Sequence, residues 1–152
     1  MTQPMPPATP AQALLRLAAG VRADVADYAR LQEQLDAQFD AALHHDSGRL
    51  IGLAEAITGL CNTLDARRQE RNGLLRVFAA ALQGMPPAEA VTALLARLPE
   101  SQRSTAQADW AQLSTLVREC KALNVRNCRL LMDQHEIMQR VLKDGDDVYA
   151  PA

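Results

Sequence analysis

An apolar residue returns every seven positions along most of this 152-residue chain. From Ala11 to Asp46 the run holds one glycine, Gly20, and no proline. Within it Leu14, Val21, Tyr28, Leu35 and Ala42 form one row, and Ala18, Val25, Gln32 and Phe39 a second. Thr9 is suited to cap a helix that begins with Pro10 at its first position. The spacing predicts a helix of about 35 residues, roughly 50 Å long, with a coiled-coil-like seam.

His44-His45-Asp46-Ser47-Gly48 breaks that helix, and Asp46 or Ser47 can cap the next. Leu50, Ile57, Leu64, Arg71 and Phe78 then recur every seven, with Leu53, Leu60, Arg67, Leu74 and Ala81 three behind. Gly84 followed by Met85-Pro86-Pro87 predicts the end of the second helix. So short a break makes the two helices an antiparallel hairpin. Counting outward from the turn brings Arg67 and Arg71 level with Asp24 and Gly20. A polar layer of Arg67, Arg71, Asp24 and Asp27 would hold the register, because a one-heptad slip strands the charges. The alternative is that both arginines reach solvent.

Residues from Pro87 to Leu98 suit about three turns of helix before Pro99. The last helix is expected from Ser104 to Lys143, ended by Asp144-Gly145-Asp146-Asp147. With no period-2 alternation, the expected fold is all-α. It consists of a long antiparallel hairpin, a short third helix and a long amphipathic C-terminal helix, forming a three- to four-helix bundle. Residues 1–9 are expected to be disordered, 10–143 to form one domain, and 144–152 to be a flexible tail.

The last helix carries three apolar rows: Leu116, Leu123, Leu130, Ile137; Leu113, Cys120, Asn127, Gln134, Val141; and Val117, Asn124, Leu131, Met138. A coiled-coil seam needs two, so the band is wider than one partner requires. Asn124 and Asn127 place amides where aliphatics would pack better. A wide apolar face with fixed polar points suits a groove for another amphipathic helix. It also suits a core helix touching two neighbours, and periodicity leaves both open. The candidate contact residues are Leu113, Leu116, Val117, Cys120, Leu123, Asn124, Asn127, Leu130, Leu131, Ile137, Met138 and Val141. Left free, this surplus would need cover from the hairpin, the short helix or a second copy. Tyr149, the aromatic beyond the last helix, is a candidate anchor for a second partner.

Net charge is −2 with no long block of one sign, so nucleic acid and anionic membranes are poor partners. No run nears the ~20 apolar residues of a membrane span. The Pro-rich start lacks the features of a secretion signal, which implies a cytoplasmic protein. Cys61, Cys120 and Cys128 form no C-x-x-C pair, and His44, His45 and His135 lack ligand spacing. There is no phosphate-binding glycine loop, nucleophile elbow or zinc-hydrolase motif. No catalytic residue, metal or cofactor is expected, and the chain is not expected to be an enzyme.

Three stretches resemble the FlgN family of flagellar export chaperones. The first is Phe39-Asp-Ala-Ala-Leu-His-His-Asp-Ser-Gly-Arg-Leu, similar to the family's first-helix end. The second is Leu64-Asp-Ala-Arg-Arg-Gln-Glu-Arg-Asn-Gly-Leu-Leu, similar to its arginine-containing hairpin segment. The third and most distinctive is Trp110, then Leu123-Asn124-x-x-Asn127-x-x-Leu130-Leu131, then Val148-Tyr149. Cys128 and Ala150 stand where the family has glycines. The resemblance spans about residues 10 to 150. It implies a cytoplasmic chaperone that binds an amphipathic helix of the hook-associated proteins FlgK and FlgL. Such a chaperone prevents their early association and delivers them to the export gate protein FlhA, with Tyr149 as the gate contact. It implies no nucleic-acid partner and no membrane insertion, and leaves a homo-oligomer open. A different reading is a structural coiled-coil or adaptor subunit of a permanent assembly.

Overall fold

In a computed structural model the chain forms α1 (Pro10–Leu43), α2 (Ser47–Arg76), α3 (Pro87–Leu95) and α4 (Glu100–Tyr149). The structure describes residues 9–149, and of 145–149 only the backbone. Among these residues there is no strand. The expected all-α architecture is observed: a long hairpin, a short third helix and a long last helix.

Thr9 caps α1 through a reciprocal box with Gln12, whose amide N–H donates to Thr9 Oγ1 at 3.3 Å. Between α1 and α2, His45 takes φ 52°. Asp46 then caps α2 by accepting from Arg49 N at 3.1 Å. Arg49 also reaches back to Asp40 at 3.0 Å, tying the two arms at the turn.

The polar layer forms across the hairpin. Arg67 donates to Asp24 Oδ1 at 2.6 Å and to Asp27 Oδ2 at 2.8 Å, and Arg71 donates to Asp24 Oδ2 at 2.6 Å. Asp24 is 2 % exposed, so both its oxygens are matched within the protein. Gly20 lies level with this layer. A Cβ there would sit 3.9 Å from the Arg67 side chain, an ordinary contact, so the glycine is not demanded by crowding.

Helices α2 and α4 differ from expectation in their limits. α2 ends at Arg76, and residues 77–84 continue as successive turns with hydrogen bonds such as Leu82 N to Phe78 O. Those turns bring Phe78 and Leu82 into the core. Gly84 still marks the end of the segment, at φ 68°. α4 begins at Glu100, ahead of Ser104, and its backbone runs through Gly145 to Tyr149, beyond Lys143. A single glycine costs about 1 kcal/mol in a helix, which does not by itself end one. Residues 1–8 and 150–152, parts of the expected disordered start and tail, lie outside the described residues.

α3 closes the open end of the hairpin. Val91, Leu94, Leu95 and Leu98 are 1 % exposed or less and pack with Leu17, Val21, Phe78, Leu82, Ala106 and Leu113. Arg103 donates twice to Leu98 O, at 3.0 and 3.2 Å, satisfying a carbonyl at the α3–α4 corner. No described helix is long and apolar enough to cross a membrane.

Candidate helix-binding groove

α4 runs parallel to α1 in one fixed register. Cys120 Sγ donates to Tyr28 O at 3.5 Å, Asn127 Nδ2 to Leu35 O at 2.7 Å, and Gln134 Nε2 to Ala42 O at 2.9 Å. Each pair is 92 residues apart in sequence. The sequence row Cys120, Asn127, Gln134 is therefore the face of α4 laid on α1, and its donors meet main-chain carbonyls at matching seven-residue steps. Asn127 is 1 % exposed, donates also to Gln38 Oε1 at 2.9 Å and accepts from Arg126 Nε at 3.1 Å. Arg126 continues to Asp36 at 3.2 Å and lies over the Phe39 ring at 3.9 Å.

This register divides the candidate contact residues. Leu113, Leu116, Cys120 and Asn127 are buried inside the free chain. Of these four, Asn127 has its amide fully engaged internally and presents nothing to a partner. Val117, Leu123, Leu130 and Leu131 are half-buried. Asn124 is exposed, and the contact to its side-chain oxygen from Cys128 Sγ, at 3.9 Å, is weak. Ile137, Met138 and Val141 are exposed by 60 %, 58 % and 61 %. The side chain of Tyr149 lies outside the described residues.

α2 also packs on α1, but no backbone contact joins α2 to α4. Three long helices thus occupy three corners of a four-helix bundle. The fourth corner is an open groove, made of contiguous hollows of about 760 and 210 Å³. Tyr28, Leu31 and Leu35 form its floor, Ile57, Cys61 and Leu64 its α2 side, and Trp110, Leu113, Val117, Cys120 and Asn124 its α4 side. Asp65, Arg68, Arg71, Arg118 and Lys121 stand along the groove. Arg68 pairs with Asp65 and Arg71 with Asp24, while Arg118 and Lys121 make no ion pair among the described residues.

The Cys120 thiol is pushed up to about 11, first by burial and then by the Glu119 carboxylate. It is a neutral donor at physiological pH. Burial, and then Asp24, likewise raise Tyr28. Trp110 bridges the groove's upper end to α3, donating from Nε1 to Thr92 Oγ1 at 3.1 Å.

The α2 contribution was not anticipated from sequence. The sequence pattern places Ile57 and Leu64 on the hairpin seam. Cys61 is in fact exposed in the groove. The only sequence signal was that α2 carries more apolar residues than one seam uses. Among the described residues no cluster of His, Cys, Asp and Glu could hold a metal ion.

The class defined by this geometry is an all-helical scaffold with one open, apolar-floored helix position. No family model, curated protein or solved structure matches the chain.

Proposed function

We propose that the chain is a FlgN-type flagellar export chaperone, which takes an amphipathic helix of FlgK or FlgL into the groove between α2 and α4. The observation that carries this reading is the vacant fourth corner of the bundle, apolar at its floor and polar at its rim. A cargo helix placed there would bury its apolar stripe on Tyr28, Leu31, Leu35 and Val117 while its polar face stays in water. Asn124 and Lys121, on the α4 wall, offer the polar points. This narrows the contact set: Val117, Cys120, Leu113 and Asn124 line the groove, and Asn127 serves the scaffold. In this reading the cargo's self-association helix is covered in the cytoplasm until FlhA receives it, with Tyr149 at the gate contact. No catalysis is involved.

The test is capture of the C-terminal helices of FlgK and FlgL by the purified chain, measured by calorimetry. Val117→Asp should weaken binding on the order of 100-fold, because a carboxylate would be buried without a partner. Undiminished binding to this variant removes the groove from the reading. No binding of either helix by the wild-type chain overturns the chaperone assignment.

A further inference from the structure

The groove between α2 and α4 has two unlike ends. At one end α3 itself fills the fourth corner of the bundle. Ala88, in the first turn of α3, lines the larger hollow. Thr92, a turn further along, accepts from Trp110, and Leu98 past the helix end accepts from Arg103 in the first turn of α4. α3 therefore runs antiparallel to α4 and away from the groove, with its N-terminal end facing the hollow. At the other end, toward the hairpin turn, Leu35, Ile57 and Asn124 line the smaller hollow. Among the described residues no helix stands across that end.

Charge is as uneven as shape. Arg68, Arg71 and Arg118 line the hollow beside α3, whereas Lys121 is the one charged residue lining the hollow toward the turn. Asp24 is taken by Arg67 and Arg71, and Asp65 pairs with Arg68. Arg118 makes no ion pair among the described residues, and α4 offers it none. Ser114, Thr115, Lys121 and Ala122 stand three and four residues away, so no carboxylate shares its face. Its neighbour Glu119 is turned to α1, where Gln32 donates to it at 2.8 Å. The register that sets Cys120 beside Tyr28 sets Arg118 beside Ala26, and Arg67 reaches Asp24 and Asp27 on either side of that level. Arg68 and Arg118 thus stand on opposite walls at about one level. A helical side chain leans toward the N-terminus of its own helix, so Arg118 leans toward α3.

We infer that the groove takes the last helix of a cargo chain, entered C-terminal end first, with the terminal carboxylate on Arg118 in front of α3. This rests on the reading of the groove as a helix-binding site. Shape supports it: a corner already filled by α3 admits no helix passing through, and a chain end needs no way out. Charge supports it: a guanidinium without a partner can take a carboxylate in two parallel bonds, with Arg68 adding positive charge from the facing wall. Direction follows from the dipoles. The C-terminal end of a helix is its negative end, and here it would meet arginines and the positive end of α3. Entry by the N-terminal end would set a positive end against both. The carboxylate of the first turn of α3, Glu89, is exposed and lines neither hollow. Bound in this way, cargo helix and α3 lie head to tail and make the fourth helix of the bundle in two pieces.

The test uses the full chain and peptides of the C-terminal helices of FlgK and FlgL, each made as the free acid and as the C-terminal amide. By calorimetry, amidation should weaken binding on the order of 10-fold. Arg118→Gln, at an exposed position, should weaken the free acid by a similar factor and leave the amide unchanged. Direction is read from Trp110, the single tryptophan, at the α3 end of the groove. A nitroxide in the last turn of the peptide should quench its fluorescence, and one in the first turn should not. Equal binding of acid and amide, still abolished by Val117→Asp, overturns the inference and leaves the groove as the cargo site. An amide effect that persists in Arg118→Gln overturns it too, as does quenching by the first-turn label alone. Binding of neither peptide form by the wild-type chain overturns it together with the chaperone reading.

Discussion

Asn127 donates its side-chain amide to the main-chain carbonyl of Leu35 at 2.7 Å, from a position 1 % exposed to solvent. That carbonyl belongs to a helix, so the amide uses its second lone pair and takes nothing from α1. The bond, with those of Cys120 and Gln134 on either side, sets how far α4 slides along α1. The groove that α4 leaves open beside α2 follows from that setting.

Removing this amide should be felt as stability. Asn127→Ala deletes two donors and an acceptor from a buried site and should cost about 2–3 kcal/mol, read from urea midpoints. Asn124→Ala, three residues away and exposed, should stay within about 0.5 kcal/mol. Equal effects would mean that the two amides have equivalent surroundings.

The Asp24 layer should behave as a unit. Asp24→Ala leaves Arg71 without its ion pair and Arg67 with only Asp27, and should destabilise by about 3–5 kcal/mol. Replacing Asp24, Arg67 and Arg71 together by Leu, Met and Leu should recover most of that loss, because no charge is stranded. Thermal melts of the single and triple variants, with a double-mutant cycle on Asp24 and Arg71, read the coupling.

Alkali should weaken the fold through Cys120. Its ordinary value of 9.0 is raised to about 11 in the folded chain. Between those values the folded state holds a proton that the unfolded state releases. The contribution is therefore whole below pH 9 and lost as pH climbs toward 11. Two units correspond to roughly 2–3 kcal/mol. Urea unfolding of wild type and Cys120→Ala across this range should converge as pH rises. The raised Tyr28 acts in the same direction.

Thiol reactivity should separate the cysteines at neutral pH. Cys61 and Cys128 are exposed and should be titrated quickly by a disulfide reagent, while buried Cys120 should react only on unfolding. A helix bound in the groove should slow Cys61 and leave Cys128 fast. Equal protection of both would place the bound helix elsewhere.

Gate docking rests on the family resemblance. Deleting residues 148–152 should abolish co-purification with FlhA while leaving the melting temperature unchanged. A clear fall in that temperature would make Tyr149 part of the fold.

Much of the hairpin was legible because its signals are local. Thr9 and Asp46 cap helices through bonds to residues three positions on, and Gly84 ends a turn segment through its own φ. The Asp24–Arg67–Arg71 layer was also legible, since a tight turn makes an antiparallel register a matter of counting. The second buried row of α1 was not. Leu17, Asp24 and Leu31 recur every seven and are all buried, but Asp24 interrupts their apolar pattern. The extent of α4 was missed at both ends for the opposite reason: Ser104 and Gly145 look like helix limits, yet a continuous helix absorbs them.

For the candidate groove, the sequence by itself determined which residues of α4 share a face, because helical geometry depends only on spacing. It also determined that this face is too wide for one neighbour. Only the tertiary structure decided which neighbour covers which row: α1 takes Cys120, Asn127 and Gln134, and the row of Val117 and Asn124 is left beside the open corner with α2. Periodicity repeats identically under a one-heptad slide, so it cannot choose the offset between two helices distant in sequence. That choice is made by packing at α3 and by single donors meeting single carbonyls, which exist only once the chain has folded.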